Sequence, residues 1–145
     1  IHREWNVTVP GLADEIGLMV TDDESTVLLT APHAILTFSA ASGTPGPVVN
    51  FTEAGLDSCR SVISPWQSPL PVPLANSRHV MVVCNDKNQT PVAVVADLAQ
   101  GKIVGSPKNL DLSPEQALVD DAGNVYSLGK VSNAITITRR AVTGF

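Results

Sequence analysis

Three histidines and two cysteines are the side chains of this 145-residue chain with the widest chemistry. His2, His33 and His79 show no His-x-His or His-x3-His spacing, so no pair is preset to share a metal. Cys84 follows His79 by five residues, which on an extended strand sends the two side chains to opposite faces. The acidic stretches Asp22-Asp23-Glu24-Ser25 and Asp120-Asp121-Ala122-Gly123-Asn124 carry oxygen ligands, but neither follows the Asp-x-Asp-x-Asp-Gly pattern of a calcium loop. The second is better explained as a hairpin in which Gly or Asn takes positive φ. There is no Gly-x-Ser-x-Gly elbow, no Gly-x-Gly-x-x-Gly and no Walker loop. Around Cys59 stand Asp57, Ser58 and Ser61 with no histidine nearby in sequence, so the thiol reads as a disulfide partner or a buried group rather than a nucleophile. The expectation is a chain that is not an enzyme, with no catalytic, cofactor or metal site.

Modification chemistry is better represented. Asn6-Val7-Thr8, Asn50-Phe51-Thr52 and Asn88-Gln89-Thr90 are N-glycosylation sequons. Glycans at Asn6, Asn50 and Asn88 would put the chain on a secretory route, secreted or at the cell surface, where a Cys59–Cys84 bridge persists. The alternative for the cysteines is a pair of buried thiols. The aromatic side chains Trp5, Trp66 and Tyr126 are candidate partner or ligand contacts. Trp66 lies in "SPWQSPLPVP", residues 64–73, whose four prolines favour an extended segment. That segment reads either as a partner-docking loop or as an ordered connection anchored by Trp66.

The composition narrows the partners. Net charge is −5, and Arg139-Arg140 is the one adjacent Lys/Arg pair, so a nucleic-acid partner is not expected. No apolar run reaches the roughly 18–20 residues of a membrane-spanning helix. With 43% hydrophobic and 16% charged residues, the chain has the apolar surface to build a core. The first residue is Ile, so either a leader has been removed or the chain belongs to something longer.

The elements that must position these groups are strands. Short apolar or alternating runs rich in Val, Thr and Ile lie at 18–21, 26–30, 34–39, 47–51, 79–85, 92–96, 102–104, 117–119, 124–128 and 134–139, separated by Asp, Asn, Ser and Gly turns. Residues 20–43 and 119–144 share one order: strand, acidic turn, strand, short turn, strand, corner with Gly. Residues 74–101 repeat it with a longer central loop. The corner glycines Gly43, Gly101 and Gly144 recur at a spacing near that of a four-stranded propeller blade.

"VADLAQGKIV" (95–104) looks like the corner of the pyrroloquinoline-quinone-like β-propeller repeat, in which a strand ends in an Asp-containing turn with Gly. "DDAGNVYSLG" (120–129) resembles that family's hairpin, with Asp121, Gly123 and Tyr126, and Trp5 stands near its outer-strand aromatic. Ser39 and Arg140 replace the corner Asp, and the family's corner Trp does not follow Gly101. The resemblance implies architecture and not the quinone, so no cofactor is expected. It implies one all-β domain over 1–145, built from three propeller-like four-stranded antiparallel units at about 1–43, 44–101 and 102–145. A β-sandwich or small barrel is the alternative.

Three units are too few for a closed ring, which takes about 4–8. Open edges invite another chain. The expectation is therefore a self-associating structural module, a homo-oligomer, fibre or sibling-chain assembly that completes the fold. The alternatives are a fragment of a propeller enzyme or a carbohydrate-binding propeller.

Overall fold

A computed structural model describes residues 4–11, 17–21, 23–61, 78–107, 116–120 and 122–143. Twelve strands form three antiparallel sheets, of four, five and three strands, and the only helical piece among these residues is a 3-10 turn at Thr52–Ala54. Trp66 and His2 lie outside the described residues, as does the whole of the segment 64–73.

The first sheet is a meander of β1 (Gly17–Val20), β2 (Thr26–Ala31), β3 (Ala34–Ser39) and β4 (Pro45–Asn50). The second contains β5 (Leu56–Ser61), β6 (His79–Asp86), β7 (Pro91–Asp97) and β8 (Lys102–Pro107), with the two-residue β12 (Val142–Thr143) added beside β8. The third holds β9 (Gln116–Val119), β10 (Val125–Val131) and β11 (Ala134–Arg140).

Acidic side chains shape the hairpins as the sequence suggests. Asp23 accepts the Ser25 amide at 3.0 Å and the Thr21 hydroxyl at 2.7 Å. Asp86 accepts the amides of Asn88 and Thr90, and Asp120 those of Ala122 and Asn124. Each is an Asx-type turn that supplies the loop with acceptors its backbone lacks.

The three sheets pack face on face. Leu28, Ile35, Val49 and Phe51 of the first meet Val80, Val82, Cys84, Val94 and Ala96 of the second. The alternate residues of β6 and β7, Met81, Ala93 and Val95, meet Val119 and Val125 of the third. The middle sheet is thus apolar on both faces and covered on both, which is why its strands read as continuous hydrophobic runs. Each fully buried Val, Leu or Ile contributes roughly 1.5–3 kcal/mol. The two interfaces repeat one relation: β2 meets β5 across the first and β6 meets β9 across the second.

Two expectations change. The corner turns do not end sheets. Asp97-Leu98-Ala99-Gln100-Gly101 joins β7 to β8 within the second sheet, and the turn through Gly43 joins β3 to β4 within the first. Repeat units at 1–43, 44–101 and 102–145 are therefore out of phase with the sheets by one strand. After β11, Val142 and Thr143 leave the third sheet and pair with Pro107 and Ser106, and the expected corner residue Gly144 lies outside the described residues. Among the described residues the third sheet has three strands where four were expected.

Candidate interaction surface

The cysteines are joined. Cys59 of β5 and Cys84 of β6 form a disulfide with Cα atoms 3.8 Å apart, at a register shift between Asp57 and Arg60. The bridge is buried in the core between the first two sheets. The Cys59 amide donates to the Pro32 carbonyl at 2.8 Å, tying β5 to the β2–β3 turn. Asn6, Asn50 and Asn88 are all exposed, on the segment before β1, the end of β4 and the β6–β7 turn. The sequons are thus on accessible surface.

Several polar groups among the described residues make structural contacts. Asp97 is buried, and its Oδ2 accepts both Nε and Nη2 of Arg78, at 3.0 and 2.9 Å, while Oδ1 accepts the Gln100 amide at 3.0 Å. Burial pushes its carboxyl upward, but the Arg78 and Gln100 hydrogen bonds outweigh that and hold it below the usual carboxylate range. His79 stands beside it with Nε2 3.9 Å from Oδ2, and its ring packs on Gly123, whose φ of 82° needs a glycine. His79 thus faces the third sheet and Cys84 the first, on opposite sides of β6. His33 is exposed in the β2–β3 turn, 3.5 Å from Asp57. Among the described residues no three His, Cys, Asp or Glu side chains gather into a metal-binding group.

Of the aromatic candidates, Trp5 and Tyr126 lie among the described residues and are not brought together. The Trp5 indole donates to the Ala40 carbonyl at 3.0 Å, and its ring lies against Gly43 at the first sheet's corner. Tyr126 sits on the third sheet, its hydroxyl 3.2 Å from Asp120 Oδ2. The middle sheet lies between those two sheets. A cleft of about 270 Å³, lined by Asn50, Glu53, Ala54, Gly101, Lys102 and Ile103, contains neither ring.

What stands out is apolar surface on the two terminal sheets. Register places Leu18, Val20, Val27, Leu29, Leu36 and Val48 on the face of the first sheet turned away from the second. Leu18 is 74% exposed. On the third sheet, register places Ile135 and Ile137 on the face turned away from the middle sheet, 72% and 73% exposed, and Thr136 and Thr138 on the opposite face, where Thr136 is exposed and Thr138 half-buried.

Of these, Leu18, Val20, Val48, Ile135 and Ile137 are exposed and Val27, Leu29 and Leu36 half-buried, and several have fully buried counterparts. The two-residue turns closed by Ala31↔Ala34 and Val131↔Ala134 superpose Thr26↔Ser39 on Tyr126↔Arg139, and His79↔Asp97 fills that place in the middle sheet. By that count Val27, Leu29 and Leu36 match Val80, Val82 and Val94, all fully buried against the first sheet. Ile135 and Ile137 match Ala93 and Val95, buried against the third sheet, and Ile135 also matches the buried Ile35. The sequence could have signalled this through the shared "Ala-Ile" after each turn and the Ile-Thr alternation of β11. The corner position of the third sheet is accordingly Arg139, one residue before the expected Arg140.

Comparison of the chain with protein-family models, with curated proteins and with solved structures returns no match.

Proposed function

We propose that this chain is a structural interaction module of a secreted or cell-surface glycoprotein. It works by associating with copies of itself or related chains, each copy adding three propeller-like sheets to a continuing ring or fibre. One observation carries the reading. The middle sheet is covered on both faces, while each terminal sheet leaves open a face whose equivalents inside the molecule are buried. Exposed aliphatic side chains grouped on a sheet face, here Leu18, Val20 and Val48 at one end and Ile135 and Ile137 at the other, support an interaction site. The face at one end corresponds to one side of the internal interfaces and the face at the other end to the opposite side, so the contact is heterologous and runs head to tail.

The disulfide and the three exposed sequons support the extracellular setting. Arg78, His79 and Asp97 are engaged in holding a turn, which supports a non-catalytic role. A carbohydrate-binding reading with Trp5, Trp66 or Tyr126 as stacking platforms gains no support from Trp5 and Tyr126, which lie on different sheets, and Trp66 lies outside the described residues. Light scattering coupled to size-exclusion chromatography tests the proposal: species of two or more copies are expected, and the variants Leu18→Asp and Ile137→Asp should each elute as monomer. Association untouched by both variants would reject these faces as the contact.

A further inference from the structure

The strand alternation of "EWNVTV", residues 4–9, finds no strand partner among the described residues of its own chain. Trp5, Val7 and Val9 alternate with Asn6 and Thr8, a pattern of period two, yet Trp5 and Val7 are 40% and 38% exposed. The place this segment holds is informative. In chain order the fourth strand of one sheet is followed by the first strand of the next: β4 precedes β5 and β8 precedes β9. Residues 4–9 precede β1 in the same way.

The corner glycines fix the correspondence in space. A Cβ on Gly101 would lie 2.9 Å from the Val48 carbonyl oxygen, so the corner of the second sheet packs on β4 of the first. A Cβ on Gly43 would lie 2.7 Å from the Trp5 ring, so the corner of the first sheet packs on residues 4–9. This segment stands to the first sheet as β4 stands to the second. It occupies the position of a fourth strand that pairs with no sheet among the described residues.

Among the described residues the third sheet is the one without a fourth strand. β3 and β7 have β4 and β8 on their outer edges, but β11 is the edge of its sheet among the described residues. The same chain does not bring the two together, because Trp5 is hydrogen-bonded at the corner of the first sheet and the middle sheet separates it from the third.

We infer that residues 4–9 of one copy add to β11 of a second copy, completing its third sheet by strand donation. The inference rests on the self-association proposed above and names its mechanism. Docking of the open face of the third sheet on the open face of the first would bring the donor segment alongside β11, just as β4 lies alongside β3 when the first sheet packs on the second. Strand addition satisfies the backbone groups of an exposed edge, and side chains of alternate residues set the register. The recurrent β2–β5 and β6–β9 contacts predict that β10 of one copy meets β1 of the next.

The test uses two full-length variants with different tags, made without N-glycans and with the Cys59–Cys84 bridge formed. One carries Val7→Cys. The other carries a cysteine in place of Ile135, Thr136 or Ile137, taken one at a time. Mild oxidation of the mixture should give a disulfide-linked pair of unlike tags for at least one of the three, and none when the second cysteine replaces Asn88. In parallel, Val7→Pro should weaken self-association about tenfold or more, because proline removes a ladder donor, while leaving the circular dichroism of the chain unchanged. Wild-type association with no cross-link and an unaffected Val7→Pro variant would overturn strand donation and leave self-association standing. A wild type that stays monomeric would overturn both.

Discussion

Ile35 and Ile135 occupy the same place in two sheets, each the second residue after a two-residue turn, yet one is fully buried and the other 72% exposed. The difference lies in what covers them. Ile35 faces the middle sheet, while Ile135 faces outward from the third. A carboxylate at these two positions should therefore have opposite consequences. Ile35→Asp should abolish folding, because it buries an unpaired charge in the core. Ile135→Asp should leave the thermal midpoint of the isolated chain within a few degrees and raise the dissociation constant of the assembly about tenfold or more.

The disulfide closes a loop with a sequence separation of 25 residues. In the chain-entropy account such a loop is worth about 3–4 kcal/mol. Replacing Cys59 and Cys84 together by alanine should lower the unfolding free energy by about that amount. Urea titration of wild type and variant checks it; equal midpoints would show that the β5–β6 pairing holds without the bridge.

Asp97 gives the chain an acid limit. Its folded-state carboxyl lies below the ordinary value near 4, so the stability it contributes is complete above that value. It is lost as pH falls through the depressed folded value. Asp120 acts in the same sense: burial raises its carboxyl, and hydrogen bonds from the Asn124 side chain and amide more than offset it. Stability measured by urea midpoint should be flat from pH 7 to about 5 and fall below about pH 4. Asp97→Asn should lower stability at pH 7 by about 2–3 kcal/mol and make the acid fall shallower. A variant with the same pH profile as wild type would remove Asp97 from this role.

Exposure of Asn6, Asn50 and Asn88 predicts their use in a eukaryotic secretory host. Each Asn→Gln variant should lose the mass of one glycan relative to wild type. An intact mass unchanged by enzymatic deglycosylation would remove glycans from the account.

The strand order was largely legible because turn chemistry separates the runs so clearly: Asp23, Asp86 and Asp120 each cap a hairpin through its own backbone amides. β5 was not legible. Leu56–Ser61 has Asp57, Ser58 and Arg60 among its six residues, and it is held as a strand by the Cys59–Cys84 bridge and a bulged pairing with β6, neither of which has a local pattern. β12 escaped notice for a similar reason, since Val142 and Thr143 pair far along the chain with β8.

The open faces were hidden differently. In β2 the run Val27-Leu28-Leu29 is apolar on both sides, so composition alone cannot say which side meets another sheet. Only the register, which matches the half-buried Leu29 to the fully buried Val82, relates its side to a face that is covered in the middle sheet. Tertiary neighbours, not local propensity, decided this, and they act across the whole chain.

The central claim is that the open faces of the terminal sheets belong together. Sedimentation velocity of the wild-type chain from about 1 to 100 μM, a range that brackets micromolar affinities, tests it most directly. The account predicts species of two or more copies that grow with concentration, dissociating when Leu18→Asp or Ile137→Asp is introduced. A single 15.2 kDa monomer at every concentration would contradict it.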